Sequence, residues 1–223
     1  WWKRLIWVGC AFLALALYIL PMLFQQLAIT YQFPKQWTIG LGLSLIILIL
    51  LVFVAVAKKT GILSPSGKIF QKGDGKRIAL SLLGMLLISV LGTVLLRWLH
   101  GEVTTANQAS LMEEFRRGDV ILLSIMLGIL APIAEEIIFR GIIPLKIFKG
   151  YESWGYIIGG LLFAIFHGPT NIMSFVIYGG ASVILTLLAC QTRRLGVSIA
   201  VHMINNGLPA ILMLLIPIFG VEV

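Results

Sequence analysis

The stretch ILAPIAEEIIFRG, residues 129–141, sets Glu135, Glu136 and Arg140 among isoleucines, alanines and a phenylalanine. Each unpaired charge at a bilayer centre costs at least ~2.5–3.5 kcal/mol on insertion scales, so ionisable groups at that depth are functional by default. The apolar runs that follow hold His167 and His202, with the amides of Asn171, Asn205 and Asn206. A carboxylate and an imidazole that meet in a dry cavity can take a proton from water. A second imidazole and a carboxamide can donate hydrogen bonds to a developing oxyanion. Together they suit peptide-bond hydrolysis without a covalent intermediate. No serine nucleophile elbow and no HExxH stretch offers another route. Two histidines and a carboxylate are also a catalytic zinc set, so Glu135, His167 and His202 could hold Zn²⁺. Spacing across three segments does not separate the two readings.

Depth brings these groups together. At a helical rise of about 1.5 Å per residue, Glu135 lies roughly 16 Å from Lys146 and His167 roughly 18–20 Å beyond Trp154. His202 is roughly 12 Å and Asn206 roughly 18 Å past Arg194. Three separate segments therefore carry polar groups in one layer, which chance scattering does not explain. Residues four apart on a helix share a face, pairing Glu136 with Arg140, His202 with Asn206, and Phe163 with His167. The Glu136–Arg140 pair neutralises one carboxylate and clamps its helix. Glu135, turned about 100° away, has no local partner. Ser174, Ser182 and Ser198 read as small polar packing residues.

The elements that must position this layer are membrane spans. The 223 residues are 59% hydrophobic and 12% charged, with a mean hydropathy of +1.02. Soluble domains are about 45–50% apolar and about 25% charged. Reading apolar runs as spans predicts helices near 4–26, 38–57, 78–98, 119–146, 155–167, 171–191, 195–206 and 208–219. The fold class is all-α, a polytopic membrane bundle of about eight transmembrane helices. Residues 1–118 form N-terminal transmembrane helices with a basic loop at 58–77 and an outer surface segment at 100–118. Residues 119–219 carry the chemistry, within a single integral-membrane domain. The first apolar stretch runs through Phe24, too long for a signal-peptide core, and is expected to be a retained helix.

Charge sets the orientation. The net charge of +8 does not imply nucleic acid, because the cations collect in loops. Twelve Lys and Arg fall at the N-terminus, in 58–77, at Lys146 and Lys149, and at Arg193 and Arg194, against four on the other side. With eight spans both termini are expected in the cytoplasm. The polar layer is expected to open toward that face. Trp1, Trp2, Trp7 and Trp154 read as interfacial anchors. Cys10 and Cys190 sit in apolar runs as small hydrophobes.

Three motifs now carry a resemblance. EEIIFR (135–140) looks like EExxxR, FAIFH (163–167) like FxxxH, and HMINN (202–206) like HxxxN. In that order they resemble the CPBP family of CAAX proteases and bacteriocin-processing proteins, also called Abi. The match covers about residues 119–210. The resemblance implies an intramembrane endopeptidase of glutamate or metallo type. Glu135 and His167 would activate water, and His202 and Asn206 would stabilise the oxyanion. Glu136, Arg140 and Phe163 would support them. It also implies a peptide or protein substrate, lipidated in CAAX-processing relatives, and a role in bacteriocin immunity or peptide-signal processing in bacterial members. The cell membrane of a bacterium, with its lipids, is the setting implied.

Two rivals fit the same residues. A proton-coupled transporter also uses Glu, His and Arg in membranes, but no paired broken helices or internal repeat is visible. A non-catalytic scaffold would use the charged layer to fix helix register.

Overall fold

The protein, seen as a computed structural model, is described over residues 1–64 and 68–215. Eight helices and no strand form among them: α1 Trp2–Thr30, α2 Lys35–Lys59, α3 Asp74–His100, α4 Ala106–Arg117, α5 Val120–Ile147, α6 Glu152–Phe166, α7 Ile172–Thr192 and α8 Leu195–Leu215. Six of them, α1, α2, α3, α5, α7 and α8, are long and apolar enough to cross a membrane. The 15-residue α6 rises about 22 Å, short of a hydrocarbon core of about 30 Å. The all-α polytopic bundle stands.

The helix carrying both glutamates is the centre of the bundle. Of the most apolar window of α5, 72% is buried, against 6% for α1, 22% for α2 and 11% for α3. Asp119 caps its start, accepting from the backbone N–H groups of Ile121 and Leu122. Two π-helical stretches, Met126–Leu130 and Glu136–Ile147, interrupt the α-turns. One precedes Pro132 and the other contains Pro144; a proline has no N–H to close an α-turn, and π-turns gather at functional sites. Small residues let the neighbouring helices approach. Gly159 of α6 lies against the backbone carbonyl of Phe139, where a Cβ would collide, and Gly128 of α5 faces Gly207 of α8.

Both faces of the bundle are tied by polar contacts. On one, Arg4 Nη2 donates to the carbonyl of Lys149 at 2.7 Å, Lys146 Nζ to that of Thr60 at 2.6 Å, and Leu195 N to that of Leu63 at 3.0 Å. Arg194 grips both oxygens of Asp74, at 2.5 and 2.9 Å. That hydrogen bond holds the Arg194 guanidinium pKa above its ordinary value. The four basic segments therefore share one face, as the charge count predicted. On the other face, Asn171 Nδ2 donates to Glu102 and Gln26 Nε2 to Glu114. There α4 lies as the expected surface helix, capped by Thr105.

The span count is corrected at its end. The expected segments 195–206 and 208–219 are one helix through Leu215, with residues 216–219 outside the described residues. Gly207 and Pro209 lie inside it, and membrane helices tolerate proline where neighbours satisfy the freed backbone. Ser124 Oγ of α5, near Asp119, donates to the Ala210 carbonyl at 3.0 Å. The described end of α8 thus lies on the face opposite Trp1, where eight spans would have put both ends on one face.

Candidate active site

Five helices converge on the polar layer: α1, α5, α6, α7 and α8. Glu135 and Glu136 are buried at consecutive positions of α5 and point to different partners. The Glu136 Oε1 accepts from Arg140 Nη1 at 3.0 Å, the pairing expected from the four-residue spacing. The same oxygen lies 3.1 Å from His202 Nδ1 of α8. A carboxylate only accepts, so Nδ1 carries the hydrogen in this contact. His202 Nε2 then meets the Asn206 amide at 3.3 Å and lies 3.8 Å from Glu135 Oε2. The Asn206 carbonyl oxygen accepts from Asn205 Nδ2 at 3.0 Å.

Glu135 is not without a partner, because Tyr18 of α1 donates to its Oε1 at 3.0 Å. Its Oε2 is buried with no hydrogen-bond partner among the described residues. Leaving such an atom unpaired costs free energy in a packed interior. Glu136 Oε2 is likewise unpaired.

Arg140 is completely buried and its donors are used. Besides Glu136, it donates through Nη2 to Ser182 Oγ at 2.8 Å and through Nε to Thr186 Oγ1 at 3.3 Å. Ser182 in turn donates to the Gly160 carbonyl at 2.8 Å. The guanidinium sits 4.1 Å from the centre of the Phe163 ring. Phe163 also meets His202 and His167, at 5.6 and 4.5 Å between ring centres. It is the aromatic wedge that sets the spacing of the two imidazoles.

His167 ends α6. Its Nδ1 lies 2.8 Å from the Phe163 carbonyl oxygen, which can only accept, so the neutral ring keeps its lone pair on Nε2. Tyr178 of α7 stacks on it at 4.7 Å. Glu135, His167, His202 and Asn206 all line one cavity of about 390 Å³, within the range of about 300–1,000 Å³ typical of ligand clefts.

Sequence spacing anticipated the within-helix pairs and missed the contacts between helices. Tyr18, Ser182 and Thr186 carried no signal beyond being polar atoms in apolar runs. Asn171, grouped with the layer, instead caps α7 in a reciprocal box with Ser174, at the far face. The expected opening toward the basic face is corrected as well. The cavity walls include Asn107, Gln108 and Leu111 of α4 and Met213 of α8, so it extends toward the opposite face. Phe163, Ala181 and Leu185 line it toward the basic face. Among the described residues, no three His, Cys, Asp or Glu side chains are grouped so that they could hold a metal ion.

Fold and site together define a polytopic helical membrane protein with a carboxylate, imidazole and amide layer inside the bilayer. Residues 117–208 match the family described as type II CAAX prenyl endopeptidase Rce1-like. The chain is 31% identical over 122 residues to the UPF0177 protein YvdC of Lactococcus lactis subsp. lactis (strain IL1403), covering 55% of this chain and 46% of that protein. It is 32% identical over 149 residues to the membrane-embedded CAAX protease MroQ of Staphylococcus aureus (strain USA300), covering 61% and 58%. No solved structure gives a significant match. The chain spans about half the length of the curated relatives it matches. Over residues 117–208 it is similar to this CAAX-protease-related family.

Proposed function

We propose that the chain is an intramembrane endopeptidase that hydrolyses a peptide bond by direct attack of water. The observation that carries this is the unpaired Glu135 Oε2, 3.8 Å from His202 Nε2, on the wall of a cavity shared with His167 and Asn206. Glu135 takes a proton from water, with His167 Nε2 as the second base, while the water oxygen bonds to the substrate carbonyl carbon. The carbonyl oxygen gains charge and receives hydrogen bonds from Asn206 Nδ2 and from His202 Nε2, to which Glu135 passes the proton it took from water. The C–N bond then breaks as the amine takes back a proton. Glu136, Arg140 and Phe163 position His202. No step runs through a metal.

The residues 119–219 form the catalytic part of this reading, and 1–118 supply Tyr18 and the helices that shield it. The substrate is a peptide or protein meeting the membrane, with lipidated CAAX-type ends and bacteriocin or signal peptides as the classes to try. By the Lys and Arg bias the N-terminal face is cytoplasmic, in a bacterial cell membrane. Cleavage of a fluorogenic panel of prenylated and leader peptides tests the function, comparing wild type with Glu135→Gln, with and without a strong chelator. Loss in the variant with activity kept in chelator supports the reading. Equal rates for wild type and variant would overturn it in favour of a scaffold or carrier.

A further inference from the structure

The two faces differ in charge as well as in contacts. The face holding Arg4, Lys149 and Arg194 collects twelve cations, with Asp74 and Glu152 as its acids among the described residues. The α4 face has Lys35, Arg97, Arg116 and Arg117 balanced by Glu102, Glu113, Glu114 and Asp119. A bias of that size puts the basic face in the cytoplasm and α4 outside.

The cavity reaches only one of these faces. Toward the basic side it ends on Phe163, Ala181 and Leu185, and Gly159 packs flush on the Phe139 backbone. Toward the other it is roofed by α4. Asn205 is exposed although it lies about 15 Å into α8 from Leu195. An amide exposed at that depth is tolerated where it lines a wet cavity rather than lipid. The roof is pinned at its start, where Thr105 Oγ1 bonds to Tyr178 OH at 2.5 Å and the Tyr178 ring stacks on His167. Its other end is held by the Gln26–Glu114 contact.

The lining also selects chemistry. Thr104, Asn107, Gln108, Asn205 and Asn206 offer uncharged donors and acceptors suited to an extended backbone, between methionines, leucines and phenylalanines. No lysine or arginine lines it, so a terminal carboxylate finds no cation there.

We propose that the site is loaded from the extracytoplasmic face, beneath α4, and takes an uncharged apolar internal segment of a peptide or protein exposed on that side. This rests on the protease reading for the cleavage but not for the access. In a background carrying Cys10→Ser and Cys190→Ser, Asn205→Cys and Gln108→Cys are labelled with a membrane-impermeant sulfonated maleimide, in right-side-out spheroplasts and in inverted vesicles. Lys149→Cys reports the orientation. Both cavity variants are expected to label at least tenfold faster in spheroplasts, and Lys149→Cys only in inverted vesicles. Faster labelling of Asn205→Cys from inverted vesicles, or from neither preparation, overturns the proposal. Two quenched peptides that differ only in an apolar or a lysine-flanked centre are then offered to each preparation. Cleavage is expected only in spheroplasts, and at least tenfold faster for the apolar peptide. Preference for the charged peptide, or cleavage from the inverted side, counts against the substrate class. Outside labelling with no cleavage of either peptide would sink the protease reading and the substrate class while leaving the access route standing.

Discussion

Asp74 with Arg194 and Glu136 with Arg140 are both buried carboxylate–guanidinium pairs, yet they are finished to different degrees. At the basic face, Asp74 Oδ2 accepts from Arg194 and from the Gln71 backbone, and Oδ1 from Arg194 and Arg77. Every strong acceptor direction is used. In the interior, Glu136 spends one oxygen on Arg140 and His202 and leaves the other unpaired, as does Glu135 beside it. A closed pair holds two segments together. An open pair next to a cavity keeps acceptors in reserve for something that comes and goes, and the lesson is that saturation, not burial, separates a staple from a site.

The sharpest break of that comparison is Glu135→Gln. The amide keeps the shape and the Tyr18 contact but cannot take a proton, so cleavage is expected to fall roughly 10²–10⁴-fold, with thermal unfolding in detergent unchanged. Asp74→Asn should leave turnover as it is. Equal losses for the two variants would erase the distinction between them.

Next in size is Arg140→Met. Removing one partner of a buried pair strands the other charge and costs about 3–5 kcal/mol, read as lower resistance to denaturant in micelles. Pairing it with Glu136→Gln removes the stranded charge and is expected to recover at least ~1 kcal/mol without restoring cleavage, since His202 loses its carboxylate anchor. If the double variant were as unstable as the single, the pair would be holding the fold by more than charge. Asp74→Asn ranks below it, at about 1.5–3 kcal/mol for the charged hydrogen bonds lost, measured by the same denaturant titration.

The pairs also show what a sequence can disclose. Glu136–Arg140 and His202–Asn206 were legible because helical spacing alone brings residues four apart onto one face. Asp74–Arg194 was not, because 120 residues intervene and nothing local selects that partner. Depth counting placed Glu135, His167 and His202 in one layer correctly, since rise per residue is nearly constant. Asn171, named with the layer's amides but not placed by depth, has its position decided by capping. The π-turns of α5 left no trace, because α- and π-turns bury the same apolar pattern. The continuity of α8 through Pro209 was hidden for the opposite reason, a soluble-protein breaker that a membrane tolerates.

The smallest expected effect lies where the open site borrows from the least buried helix. Tyr18 belongs to α1, which faces lipid along most of its length, yet among the described residues its hydroxyl is the only donor that reaches Glu135 Oε1. Tyr18→Phe keeps the ring and its contact with Phe166 and removes that one hydrogen bond. The loss is expected to be about tenfold in kcat, or ~1.4 kcal/mol, with KM and unfolding nearly unchanged. A purely structural tyrosine would instead lower stability and spare kcat. An unchanged rate would return Tyr18 to packing and leave Glu135 held by α5 alone.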